Sequence, residues 1–311
     1  MTAFPNPAKA AVLLLAHGSP DSVDEVPEFL LQVTGGRPLP PQAVEEVKHR
    51  YSLIGRSPLT ELTLKQGELL AHELGVPVYV GMRNWKPFIT DAARTMVSDG
   101  VGRAVVICLA PQNSRTSVGL YRSALTGNNS IPFNVDFVES WHDHPLLIQA
   151  FAQKLAAGWE RACRELGTKV PIIFTAHSVP QRTIAEGDPY ESQAKETASL
   201  VARRASLAPA DWDFAFQSQG MSGGAWLAPT VESTILRLKE KGHRGVFIQP
   251  IGFLCDHVEV LYDIDIGFRR FAEREGLRLW RADSLNDSLL LAKALADIAR
   301  SRLATTDRRF P

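Results

Sequence analysis

PIIFTAHSVP (171–180) ends a strand-like run on an Ala-His pair, then a small residue, one further residue and proline. AVLLLAHGSP (11–20) carries the same pattern 160 residues earlier. Short runs rich in leucine and β-branched residues, bounded by turn formers, read as buried strands. A spacing this long is not a solenoid period. It points instead to two similar α/β lobes in one chain. A weaker echo between DGVGRAVVI (99–107) and KGHRGVFI (241–248) supports the same division.

Working outward, strand patterns fall at 11–16, 76–82, 103–110 and 133–140, and again at 170–176, 212–219, 245–253 and 277–282. Helical patterns lie between them, around 60–74, 145–166, 190–206, 229–241 and 287–303. Gly75, Gly167 and Gly242 stand where left-handed caps would close three of these helices. Strictly alternating elements predict an α/β fold with parallel sheets. The expectation is two Rossmann-like lobes, 1–145 and 146–311, with a helical insertion at 21–75 on the first and a cleft between them. In such sheets ligands sit beyond the carboxyl ends of the strands. His17 and His177 both occupy that position.

Composition narrows the function classes. Lys+Arg 34 balances Asp+Glu 34, so no net field draws the chain to nucleic acid or to an anionic membrane. No apolar stretch approaches the roughly 18 residues of a spanning helix. The apolar start has no basic lead and reads as a strand, not a signal peptide. Cys108, Cys163 and Cys255 are far apart, which predicts no disulfide framework, no iron–sulfur cluster and a reducing cytoplasm. A monomer is expected.

IGFLCDHVEVLYDID (251–265) sets four acids directly after an apolar run. Read as one α-helix over 256–271, it gathers Val260, Leu261, Ile264, Phe268 and Phe271 on a buried face. Asp256, Glu259 and Asp263 then form a stripe within about 60° of one another, and Asp265 is left as ordinary surface. Capping accounts for Asp256 and for Glu259 in part, because Asp-x-x-Glu at a helix start suits both the orphan amides and the dipole. It does not account for Asp263. Two carboxylates about 6 Å apart at a cleft rim repel by roughly 3 kcal/mol, which a cation or a shared proton would relieve. A histidine after a strand is more often structural, but His177 shares the sheet edge with these acids. One imidazole with carboxylates suits a borderline divalent ion such as Fe²⁺, and an under-ligated site suits a metal in transit. In the insertion, Arg37, Arg50 and Arg56 are spaced for contact with an anion, though exposed arginines commonly serve only solubility.

Several segments together carry a resemblance. FTAHSVP (174–180), GDPY (187–190), IGFLCDHVEVLYDID (251–265), RYSLIGRSPL (50–59), VGMRNWKPFI (80–89), LAPQNS (109–114) and VESWHDHP (138–145) resemble the matching segments of the ferrochelatases, in family order. The resemblance implies a lyase that inserts Fe²⁺ into a porphyrin at the end of haem synthesis, with the cleft between two chelatase-like lobes. It carries the metal-site histidine onto His177 and the essential glutamate onto Glu259, with Asp263 continuing an acidic track. It places porphyrin contacts on Arg50, Ser57 and Tyr121. The short chain is most like the coproporphyrin III type, with iron and porphyrin as substrates and no resident cofactor. Protoporphyrin IX is the other candidate substrate. A related cobalt or nickel chelatase and a non-catalytic porphyrin carrier are the alternative functions.

The chain also departs from that pattern. His17 stands where the coproporphyrin enzymes usually carry an axial tyrosine, and imidazole is itself a haem ligand. TGGR (34–37) lacks the extra basic residue expected before its Gly-Arg, FQSQGMSGGAWLAP (216–229) departs from the family's glycine-and-proline pattern just before its Trp-Leu, and Gly267 replaces an acid. These differences bear on the choice of porphyrin more than on the reaction.

Overall fold

The computed structural model describes residues 9–127, 131–219 and 224–306. Two four-stranded parallel sheets form the frame. The first contains β1 (Lys9–Ala16), β2 (Val78–Met82), β3 (Val101–Cys108) and β4 (Asn134–Val138), in the order β2-β1-β3-β4. The second contains β5 (Ile172–His177), β6 (Trp212–Gln217), β7 (Gly245–Pro250) and β8 (Arg278–Arg281), in the order β6-β5-β7-β8. All eight expected strands are present. The two sheets have the same winding, so the internal echo in the sequence is a repeat of topology.

Side-chain alternation shows both sheet faces covered, as parallel sheets require. Val12 and Leu14 of β1 join one apolar cluster, while Ala11, Leu13 and Leu15 join another. Three helices fill the insertion: α1 (Val26–Val33), α2 (Pro41–Ile54) and α3 (Leu59–Leu74). Next come α4 (Ile89–Ser98), α5 (Val118–Thr126) and α6 (Pro145–Leu166), then α7 (Gln181–Ala185), α8 (Tyr190–Arg204) and α9 (Val231–Glu240). Leu147, Phe151 and Leu155 give α6 a buried stripe at helical spacing, and Gly167 closes it at φ 74°.

The expected helix over 256–271 is broken into three pieces. A short α10 (Val258–Leu261) leads into a π-helical segment (Asp263–Phe268), followed by α11 (Arg269–Arg274). The amide of Gly267 reaches back five residues to the carbonyl of Tyr262, at 2.8 Å. Val260, Ile264 and Phe268 stay buried through the break. Asp256, however, lies outside the helix, whose cap is the extended residue His257 with no side-chain capping bond. The capping reading of Asp256 therefore fails, and the three-acid stripe reduces to Glu259 and Asp263.

The last helix, α12 (Leu289–Thr306), packs against α3 and α6 and reaches β3. Arg103 of β3 donates to the carbonyls of Arg302 and Leu303 near its end. One continuous core thereby joins both sheets: Val12 and Ile107 with Phe174, Phe247, Leu291 and Leu295. Among the described residues no helix is long and apolar enough to cross a membrane.

Candidate active site

Chain order 2-1-3-4 in each sheet reverses direction beside its first strand, and that is where open α/β sheets bind ligands. His17 directly follows β1 and His177 ends β5, so each lobe presents one imidazole at its switch point. A cavity of about 470 Å³ opens between them, lined by both histidines, Arg83, Tyr121, His257 and Glu259. Its volume falls in the range of small-molecule sites, roughly 300–1,000 Å³.

The two imidazoles are held alike on one nitrogen. His17 Nδ1 bonds the carbonyl of Gly18 at 2.9 Å, and His177 Nδ1 bonds the carbonyl of Ser178. A carbonyl only accepts, so each Nδ1 carries a proton, and a ring in its neutral form then has its lone pair on Nε2. The Nε2 atoms meet different partners. For His17 it is the side-chain amide of Asn84 at 2.9 Å. For His177 it is Glu259 Oε2 at 3.5 Å.

Glu259 is the less comfortable of that pair. The His177 and Glu259 side chains are 34% and 32% exposed, yet Oε2 itself is buried with no hydrogen-bond partner. Burial pushes the carboxyl up, but His177, then His257, His17 and Arg50, outweigh it and hold it below its ordinary value. Gln217 fixes the backbone here: its Oε1 accepts from Thr175 Oγ1, and its amide donates to the Glu259 carbonyl at 3.1 Å. Asp263 shifts the other way. Burial and the Glu259 charge push it up, against the Ser218 hydroxyl bond and Arg50. Neighbouring carboxylates driven apart in this way have distinct acid–base roles open to them. His17 opens onto the cleft, but enclosure by protein and the Arg83 charge push its pKa down to about 4.

The structure does not bring every sequence-derived candidate to the cavity wall. His17, His177, Glu259 and Tyr121 line it. Asp263 lies one turn beyond Glu259, and Arg50 reaches it from α2 at 3.8 Å while its guanidinium lies over Tyr262. Ser57 is buried, with an unpartnered hydroxyl. Arg37 bonds the carbonyl of Thr34, and Arg56 pairs with Glu61 on the surface, so of the three insertion arginines only Arg50 turns toward the acids. Asp265, expected as plain surface, makes a two-pronged pair with Arg281 at 2.9 Å. Residues 220–223, within the divergent segment 216–229, lie outside the described residues.

Sequence reading missed Arg83, Asn84 and His257. His257 lay inside the quoted acidic segment, and its i, i+2 spacing to Glu259 across a helix start was the available signal. Arg83 and Asn84 lay inside the family-like segment VGMRNWKPFI, but nothing in it singled them out, because both act across the sheet edge. Among the described residues no group of three or more His, Cys, Asp or Glu side chains forms a ready-made metal cage.

Comparison with known proteins accounts for this arrangement. The Ferrochelatase family model matches residues 9–303. The chain belongs to the ferrochelatase family. It is therefore a lyase that inserts iron into a porphyrin, in haem biosynthesis. A ferrochelatase from Acidobacterium capsulatum is 55% identical over 309 residues, covering 95% of each chain. A coproporphyrin III ferrochelatase from a Geobacillus species is 32% identical, covering 95% of this chain and 98% of that one. The ferrochelatase fold is also that of the sirohydrochlorin chelatase SirB from Bacillus subtilis, at TM-score 0.58 and 11% identity over 97% of this chain and 98% of that one. That likeness concerns the fold alone.

Proposed function

We propose that His177 and Glu259 together receive ferrous iron and the pyrrole protons, and that the porphyrin is coproporphyrin III. The observation that supports this reading most is the buried, unpartnered Glu259 Oε2 facing the Nε2 lone pair of His177. An imidazole nitrogen and a carboxylate oxygen 3.5 Å apart make a proton or divalent cation between them welcome. Imidazole with carboxylate suits Fe²⁺, and two ligands leave it weakly enough held to move on. Metalation releases two protons from the ring nitrogens. Glu259, one turn before Asp263, starts a carboxylate path leading toward Arg50. Bending the macrocycle toward its metalated geometry would expose the nitrogen lone pairs, which is stabilisation of the transition state over the ground state.

Coproporphyrin III carries four propionates and protoporphyrin IX two, so the first demands more cationic donors. Arg83 in the cleft wall and Arg50 near its acidic end each have a buried Nε with no partner. Tyr121 lies beside Arg83, whose guanidinium is 5.8 Å from the ring centre. Ser57 supplies a further unpartnered hydroxyl. His17, on the opposite lobe from His177, is the side chain placed to ligate iron once it is in the ring, by exchanging the Asn84 amide for the metal. Iron and porphyrin are both substrates, and the reaction needs no resident cofactor. We read the chain as a cytoplasmic monomer; its three unpaired cysteines are in keeping with a reducing compartment.

Anaerobic Fe²⁺ insertion measured side by side with coproporphyrin III and protoporphyrin IX tests the assignment. At least tenfold higher kcat/KM for coproporphyrin III is expected. Equal or reversed values would move the substrate to protoporphyrin IX.

A further inference from the structure

The repeated Ala-His turn sets up a choice that the fold alone does not make. Two imidazoles face one cavity from equivalent positions, each anchored through Nδ1 to the carbonyl of the next residue. An incoming divalent ion would find either Nε2 an acceptable ligand. What separates them is Asn84. Its side-chain amide donates to His17 Nε2 at 2.9 Å, so that lone pair is already occupied. Its backbone amide donates to the His17 carbonyl at 3.0 Å, which ties the two residues at a second point.

The surroundings allow Asn84 little freedom. It is 2% exposed, and the next residue, Trp85, is 1% exposed. Gly18 adopts φ +84° against Trp85, and a Cβ there would lie 2.8 Å from the Trp85 backbone nitrogen. The His17–Gly18 turn and the Asn84–Trp85 turn are thus pressed together, with the amide and imidazole fixed face to face. His177 has no such cap: its Nε2 looks at a carboxylate, which adds to its attraction for a cation.

We propose that Asn84 is a positioning residue that keeps incoming metal off the N-terminal lobe, so that Fe²⁺ is taken up at His177 and Glu259 and not at His17. The inference rests on the reading of His177 and Glu259 as the iron-receiving pair. It adds the Asn84 amide to the Arg83 charge near His17 and the Glu259 carboxylate at His177 as what distinguishes the lobes. A neutral amide offers His17 a hydrogen bond but offers a cation no charge. Asn84→Asp would replace it with a carboxylate and reproduce on the N-terminal lobe the imidazole–carboxylate pair of the other.

Calorimetric titration of the full chain with Zn²⁺, without porphyrin, tests this. Wild type should bind a single equivalent, and Asn84→Asp a second one that disappears when His17→Ala is added. A single equivalent in a folded Asn84→Asp variant would overturn the proposal. If that variant does not fold, Asn84→Ala with ¹⁵N-labelled histidine is the second test. Zn²⁺ should then shift the His17 Nε2 resonance in the variant and leave it unmoved in wild type. Movement in wild type, or none in the variant, would equally overturn it. The underlying reading is checked separately: His177→Ala should lose the wild-type equivalent but keep the second site of Asn84→Asp. Retention of the wild-type equivalent there would defeat the role of His177 and leave the Asn84 result standing.

Discussion

Glu259 keeps its charge where burial opposes it, and a group in that position serves function at some expense to stability. Replacing it by Gln retains size and removes the charge. The expected result is a fall in iron insertion of at least about a hundredfold, the scale of a general acid–base group, with a melting temperature equal to or above wild type. A large drop in melting temperature with activity preserved would make Glu259 a structural residue instead. His17 leads to a pH prediction. Its folded-state pKa of about 4 lies below the ordinary value of 6.5. Between those values the unfolded chain takes up a proton that the folded protein refuses, so stability is lost as pH falls through this window. Urea midpoints measured from pH 7 to pH 4 should fall more steeply for wild type than for His17→Asn. Parallel curves would mean that His17 titrates normally in the fold.

At the scale of the element, the segment carrying Glu259 and Asp263 is pinned at both ends by one side chain. Arg281 of β8 meets Asp256 before α10 at 3.4 Å and Asp265 within the π-helical segment at 2.9 Å. Ser284 and Asn286 complete the hold on Asp256, donating at 2.7 and 2.9 Å. Arg281→Met would leave Asp256 without its cation and Asp265 with the longer pairing to Arg269, at 3.9 Å. The expected cost is about 2 kcal/mol, below the 3–5 kcal/mol of a fully buried pair because Asp265 keeps some solvent contact. Iron insertion should fall as well, since Arg281 holds the chain on both sides of Glu259 and Asp263. Thermal melts and kcat on the same preparation would check both, and unchanged kcat beside a lowered melting temperature would confine Arg281 to stability.

For the whole molecule, α12 decides whether the lobes behave as one body. It follows the last strand of the second sheet, yet packs on α3 and α6, and its Leu291 and Leu295 sit in the core common to both sheets. Leu295→Ala should cost about 2–5 kcal/mol, the usual range for a fully buried leucine. The loss should appear in a single cooperative transition, followed equally by far-UV circular dichroism and tryptophan fluorescence. Two separated transitions would show that the lobes unfold independently and that α12 belongs to one of them alone.

Eight strands, two equivalent histidines and the acidic segment were legible in the sequence because each depends on chain-local pattern. Apolar runs of strand length mark buried β-structure, and a residue just past such a run lies at the sheet edge whatever surrounds it. The duplicated Ala-His turn revealed the two-lobed plan for the same reason. Other features depend on partners far away in the chain. Asp256 and Asp265 read as cap and surface because nothing nearby announces Arg281. Asp263 was aligned with Glu259 on a straight helix, although the chain there bonds five residues back. Asn84 lay within a family-like segment but was not singled out there, since its importance is a hydrogen bond across 67 residues to one nitrogen of His17. The sequence by itself determined which chemical groups reach the ends of the strands. The tertiary structure alone decided which of those groups meet, and so left one imidazole capped by an amide and the other facing an unpaired carboxylate.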